Sequence, residues 1–94
     1  MTTKPIRFSN HARKRLESRG AVEAEVIEAI ETETWRPALQ GKWQVQKKFD
    51  YRKPSPVNQQ VYQFKTINAI FADDPNAIVV ITVIVYYGNQ EQVK

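Results

Sequence analysis

The stretch FSNHARKRLESRG, Phe8 to Gly20, carries the chain's one histidine, four of its cations and a single acidic residue, Glu17. Read as a helix at about 100° per residue, it sets His11 and Arg15 one turn apart on the same edge. An imidazole can take or give a proton near neutral pH. A guanidinium one turn away offers a planar fork of donors to a phosphate. Such a pair suits metal-independent cleavage of an RNA backbone. That reaction needs a proton removed from the ribose 2′-hydroxyl, charge neutralised on the non-bridging oxygens and a proton returned to the leaving oxygen. The same histidine also fits a bland role, capping or packing the start of its helix.

Other residues invite the same two-sided reading. Arg19 sits at the helix end, where it can line a phosphate groove or simply complement the helix dipole and its last carbonyls. Lys47 and Lys65 each interrupt an apolar alternation in a strand-like stretch. Each can reach a groove beside the sheet or snorkel to its edge. Tyr86 and Tyr87, being adjacent on a strand, point to opposite faces, so one of them can stack a nucleic-acid base while the other packs. Trp35 and Trp43 read as closing the core under the second helix.

These side chains need elements to hold them. Ser9 or Asn10 can cap a first helix running to about Arg19, and Gly20 supplies a left-handed stop. Ala12, Leu16 and Arg19 share one side of it, and Arg13 is expected to pair with Glu17. Leu16 is its only large apolar anchor, so tertiary contacts must hold it. A second helix spans about Val22 to Thr32, with Val22, Val26, Ala29 and Ile30 as its apolar stripe and Glu25, Glu28 and Glu31 toward water. After Trp35 the period changes to two. Strands are expected near 43–51, 60–72 and 77–87, with a further short one near 35–39. AIVVITVIVYY, 77 to 87, is apolar on both faces and reads as a central strand. The predicted architecture is α+β over one domain, 1–94: two N-terminal helices on one face of a twisted antiparallel sheet of three to four strands.

Composition narrows the function classes. With 94 residues there is room for one modest core. The absence of cysteine excludes disulfides and thiol chemistry, and a lone histidine argues against a zinc site. No metal or cofactor is expected. The longest apolar run is too short to cross a bilayer as a helix, and MTTKPIRF lacks a signal-peptide core, so a cytoplasmic, non-membrane protein is expected. The net charge of +4 is unevenly spread. Residues 4 to 19 hold six Lys/Arg, 21 to 34 hold five Glu and no cation, and 36 to 65 hold seven Lys/Arg against Asp50. A basic surface attracts polyanions: RNA, an acidic protein or anionic lipid. The helix-one cations are expected to share a face with Lys47 or Lys65, apart from the helix-two glutamates.

The stretch HARKRLESRGAVEAEVIEAI resembles the opening of a family of small bacterial domains of unknown function, and VVITVIVYY resembles its closing strand. That family is allied with the RelE-like and BrnT-like ribonuclease toxins of toxin–antitoxin pairs. The resemblance implies a RelE-like fold and an action on RNA, as an endoribonuclease neutralised by an acidic antitoxin. The alternative is a non-catalytic RNA- or protein-binding module on the same fold, including one that pairs through an exposed edge strand. Carried over by motif, the family's helix histidine falls on His11, its arginines on Arg15 and Arg19, its glycine on Gly20 and its strand threonine on Thr82. Where the family usually has tyrosine after Thr-Val, this chain has Ile84, with Tyr86 and Tyr87 further on. The residues expected to contact RNA are thus Arg15, Arg19, Lys47, Lys65 and Tyr86, with His11 and Arg15 at the chemistry.

Overall fold

The computed structural model describes residues 4–56 and 58–89. In chain order the elements are β1 (Ile6–Phe8), α1 (Asn10–Arg19), α2 (Glu23–Thr32), β2 (Arg36–Pro37), β3 (Trp43–Pro54), β4 (Val61–Asp73) and β5 (Ile78–Gly88). A short 3-10 turn at Leu39–Gly41 joins β2 to β3. The α+β class, both helices and the three long strands follow the periodicity of the sequence. The sheet itself differs from expectation. It has five strands in the order β1-β5-β4-β3-β2, and it is mixed, because β1 runs parallel to β5 while every other neighbour is antiparallel. Three residues are too few to show a period, and the partner of β1 lies about seventy residues downstream, so neither strand nor pairing was visible locally.

Both helices pack on one face. Ala12 and Leu16 of α1 and Val26, Ala29 and Ile30 of α2 meet Val45, Ile67, Ala69, Phe71, Ile78, Val80 and Val83 of the sheet. Trp35 closes this core. Its ring meets Phe71 edge-on at 4.9 Å, lies 5.9 Å from Trp43, and its indole N–H donates to the Ile30 carbonyl at 2.9 Å. Strict alternation cannot turn both Val80 and Val83 inward. A register shift does so, since Phe71 pairs with Val80 but Ile70 with Thr82, which leaves Ile81 as an extra residue. After that bulge Thr82, Ile84 and Tyr86 lie on the face away from the helices, in register with Ile70, Asn68 and Thr66 of β4. No helix among the described residues covers this second face.

The bulge is also where α1 begins. The Ser9 N–H donates to the Val80 carbonyl at 3.0 Å, and the Ser9 hydroxyl donates to the Ile81 carbonyl at 3.0 Å. The same hydroxyl accepts from the Ala12 N–H at 3.0 Å, which is the helix cap expected of it. At the other end Gly20 takes φ +77°, and a Cβ there would come within 2.7 Å of Pro56 and 2.8 Å of the Tyr87 hydroxyl. Only glycine satisfies both the angle and the space. Arg13 pairs with Glu23 at 3.1 Å rather than with Glu17, because the corner at Gly20 folds the start of α2 back against α1.

Candidate functional site

Two anchors fix the direction of α1. Ser9 holds its start on Val80 and Ile81, and the Tyr87 hydroxyl donates to the Arg19 carbonyl at its end. The helix therefore runs alongside β5 in the same direction. It borders the edge of β5 beyond the last β1 pair, Phe8 with Val80. Four helical residues advance about 6 Å and two strand residues about 6.6 Å. The spacing of His11, Arg15 and Arg19 along α1 thus matches that of Thr82, Ile84 and Tyr86 along β5.

The first rung is a direct contact: His11 Nε2 lies 3.1 Å from Thr82 Oγ1. The direction of that hydrogen bond follows the tautomer. The imidazole is exposed, so a ligand can reach it while the threonine holds the ring. Arg15 and Arg19 are half-buried, and neither guanidinium has a polar partner among the described residues. Tyr86 is 53% exposed and Ile84 39% exposed, an apolar floor facing outward from the sheet. The bulge at Ile81 determines this arrangement, since without it Thr82 and Tyr86 would turn toward the helices.

The two strand lysines are placed differently. Lys47 donates to Glu33 at 3.0 Å and lies 3.7 Å from Glu28. That hydrogen bond lowers the Glu33 carboxyl below its ordinary value and raises the Lys47 ammonium above its own. Lys65 is buried. Its ammonium donates to the Gly20 carbonyl at 2.8 Å, pairs with Glu25 at 2.9 Å and lies 5.0 Å from the Tyr51 ring centre. Glu25 in turn accepts from the Val22 N–H at 3.1 Å, at the start of α2. The helix-two glutamates thus meet the strand lysines, and the expected continuous basic face of helix one with Lys47 or Lys65 is not formed. Burial raises the Tyr87 hydroxyl above its ordinary value, with the nearby Tyr51 adding to the effect, so it remains a donor to Arg19.

His11 is therefore tied to Thr82 of β5 and Tyr86 lies exposed on the face away from the helices, whereas Lys47 and Lys65 lie on the helix side of the sheet, paired with Glu33 and Glu25. Sequence reasoning did not single out Lys48, which occupies the open face with its ammonium 4.4 Å from the Phe64 ring centre. Its only signal was its place on the polar phase of β3. Among the described residues no three His, Asp or Glu side chains gather to hold a metal ion, and no helix is long and apolar enough to cross a membrane.

The family described as Domain of unknown function (DUF4258) matches residues 8–85, and the chain belongs to it. Neither the curated proteins nor the solved structures contain a match to this chain. The matched span begins at Phe8 and so takes in α1, its cap and β5 through Val85.

Proposed function

We propose that this DUF4258 domain acts on RNA as a RelE-like, toxin-type endoribonuclease that needs no metal and is held in check by an acidic antitoxin. The observation that carries the reading is the contact of His11 with Thr82, with Arg15 and Arg19 following at one-turn spacing along α1. On this reading a proton-transfer group, two cations with no polar partner among the described residues and the exposed Tyr86 ring serve one groove. A single RNA strand laid along it presents phosphates to the arginines and a base to the Tyr86 ring. Neutral His11 takes the proton of a ribose 2′-hydroxyl. The 2′-oxygen bonds to phosphorus, the bond to the 5′-oxygen breaks, and water or the Tyr86 hydroxyl supplies that oxygen with a proton. Arg15 meets the charge that builds on the phosphoryl oxygens. Stacking falls to Tyr86, one strand repeat beyond Ile84 on the same face.

The test compares wild type with His11→Ala and Arg15→Ala for RNA affinity at two salt concentrations and for cleavage of a mixed RNA pool. Arg15→Ala is expected to weaken binding evenly across sequences and to lower the salt slope by about 0.7, one single-strand phosphate contact. His11→Ala should bind as wild type and lose cleavage by roughly 10²- to 10⁴-fold. Binding without cleavage by wild type would favour the non-catalytic module. A wild type that neither binds nor cuts RNA would remove the proposal.

A further inference from the structure

The far side of the sheet carries a second feature, independent of any action on RNA. β2 pairs with β3 only at Trp43 and Gln44, and then the chain turns away. From Gln46 to Asp50 the outer edge of β3 has no strand beside it and no other backbone partner among the described residues. Beyond Asp50 the ladder breaks. Tyr51 and Arg52 together oppose one residue of β4, and Arg52 takes φ +60°. A run of five residues is thus open to strand addition.

Its charge is one-sided. Lys48, Arg52 and Lys53 are exposed along it with Asp50 as the single acid, since Lys47 is already paired on the helix side. Beside the edge a hollow of about 420 Å³ is lined by Arg36, Gln46, Lys48 and Thr66, with no acidic residue. The Arg36 guanidinium has no polar partner among the described residues. Edge lysines and a bulge are how sheets avoid pairing with their own copies. Here one antiparallel self-register sets Lys48 opposite Asp50, the one centred on Phe49. It reaches the bulge after three residue pairs. The alternative centred on Lys48 places two lysines face to face. The bulge and the lysines disfavour a second copy, while the same cations favour a strand of opposite charge.

We propose that the outer edge of β3, Gln46–Asp50, binds an extended acidic segment of another protein by strand addition, with a carboxylate of that segment seated in the hollow between Arg36 and Lys48. The guest alternates. Its acidic residues lie on the open face, and its apolar residues lie beside half-buried Phe49 on the helix side. Protein is favoured over nucleic acid because a strand satisfies the open row of backbone donors and acceptors in register and a phosphate backbone does not.

The experiment uses the full chain and a capped seven-residue peptide of alternating valine and glutamate. Amide-resolved NMR titration should place the shifts on residues 46–50, with slowed hydrogen exchange there. The same peptide N-methylated at alternate residues keeps its charge but loses its backbone donors, and it should bind about tenfold or more weakly. Lys48→Glu, an exposed change whose fold is checked by circular dichroism, should weaken the unmethylated peptide by a similar factor while leaving the protein monomeric. Equal binding of both peptides would reduce the site to nonspecific charge attraction and overturn the proposal. Shifts centred elsewhere, dimerisation through β3 in sedimentation, or RNA displacing the peptide from these five residues would overturn it equally.

Discussion

The two long sides of the sheet are finished in opposite ways. On the β5 side a parallel strand and then a whole helix close the edge, held by three anchors: Ser9 to the bulge, Tyr87 to Arg19, Lys65 and Glu25 to the corner at Gly20. On the β3 side two residues of β2 cover the start, and the rest stands open. The closed side holds both ends of α1 on β5, and the proposed chemistry relies on that order. The open side offers backbone and charge with little fixed shape, which suits an incoming chain.

If that contrast is real, substitutions on the closed side must cost far more stability than those on the open one. The largest effect is expected at Lys65. Lys65→Ala strands a partly buried carboxylate at Glu25 and removes a donor from the Gly20 carbonyl, at a cost of about 3 kcal/mol in urea unfolding. Adding Glu25→Gln to Lys65→Met removes the stranded charge while keeping the helix-two cap acceptor, and should recover most of the loss. A Lys65→Ala variant as stable as wild type would show that the corner is not held by this pair. Ser9→Ala comes next, at about 1 kcal/mol, since it deletes the α1 cap and the bond to Ile81 together. Its unfolding midpoint should fall with an unchanged denaturant slope. The smallest effect belongs to the Lys47–Glu33 pair near the open side. Glu33 is held below its ordinary value of 4.5. Its contribution is therefore complete above that pH and is lost as pH falls through the lowered value. Glu33→Gln should leave neutral stability nearly unchanged and flatten only the acid end of the stability profile. A large loss at neutral pH would make the two sides alike.

Much of the closed side was legible in the sequence, for physical reasons. The Ser9 cap, the Gly20 stop and the Ala12/Leu16 stripe are local signals, and they placed α1 at the observed bounds. The apolar run of β5 announced a strand with neighbours on both sides. What periodicity could not show was the bulge at Ile81, because a one-residue slip within a run apolar on both faces leaves the pattern unchanged. The outward placement of Thr82, Ile84 and Tyr86 depends on that slip. The roles of Lys47 and Lys65 were hidden for another reason. Both were seen to break an alternation, but their partners depend on how α2 crosses β3 and β4, a distance that no spacing along the chain encodes. Glu25 looked like a solvent residue and serves as counter-ion to a buried lysine.

The parallel pairing of β1 with β5 also governs when the His11–Thr82 contact can form during synthesis. His11 and Thr82 are 71 residues apart, and the buried face of α1 rests largely on β5. At ~5–20 residues per second, a ribosome needs roughly 4–14 s to travel from one to the other. During that interval α1 is a ten-residue peptide with a single large apolar anchor, too short to hold itself helical. A chain arrested before β5 emerges has His11, Arg15 and Arg19 but no β5 to set them against. The His11–Thr82 contact thus waits on the synthesis of β5.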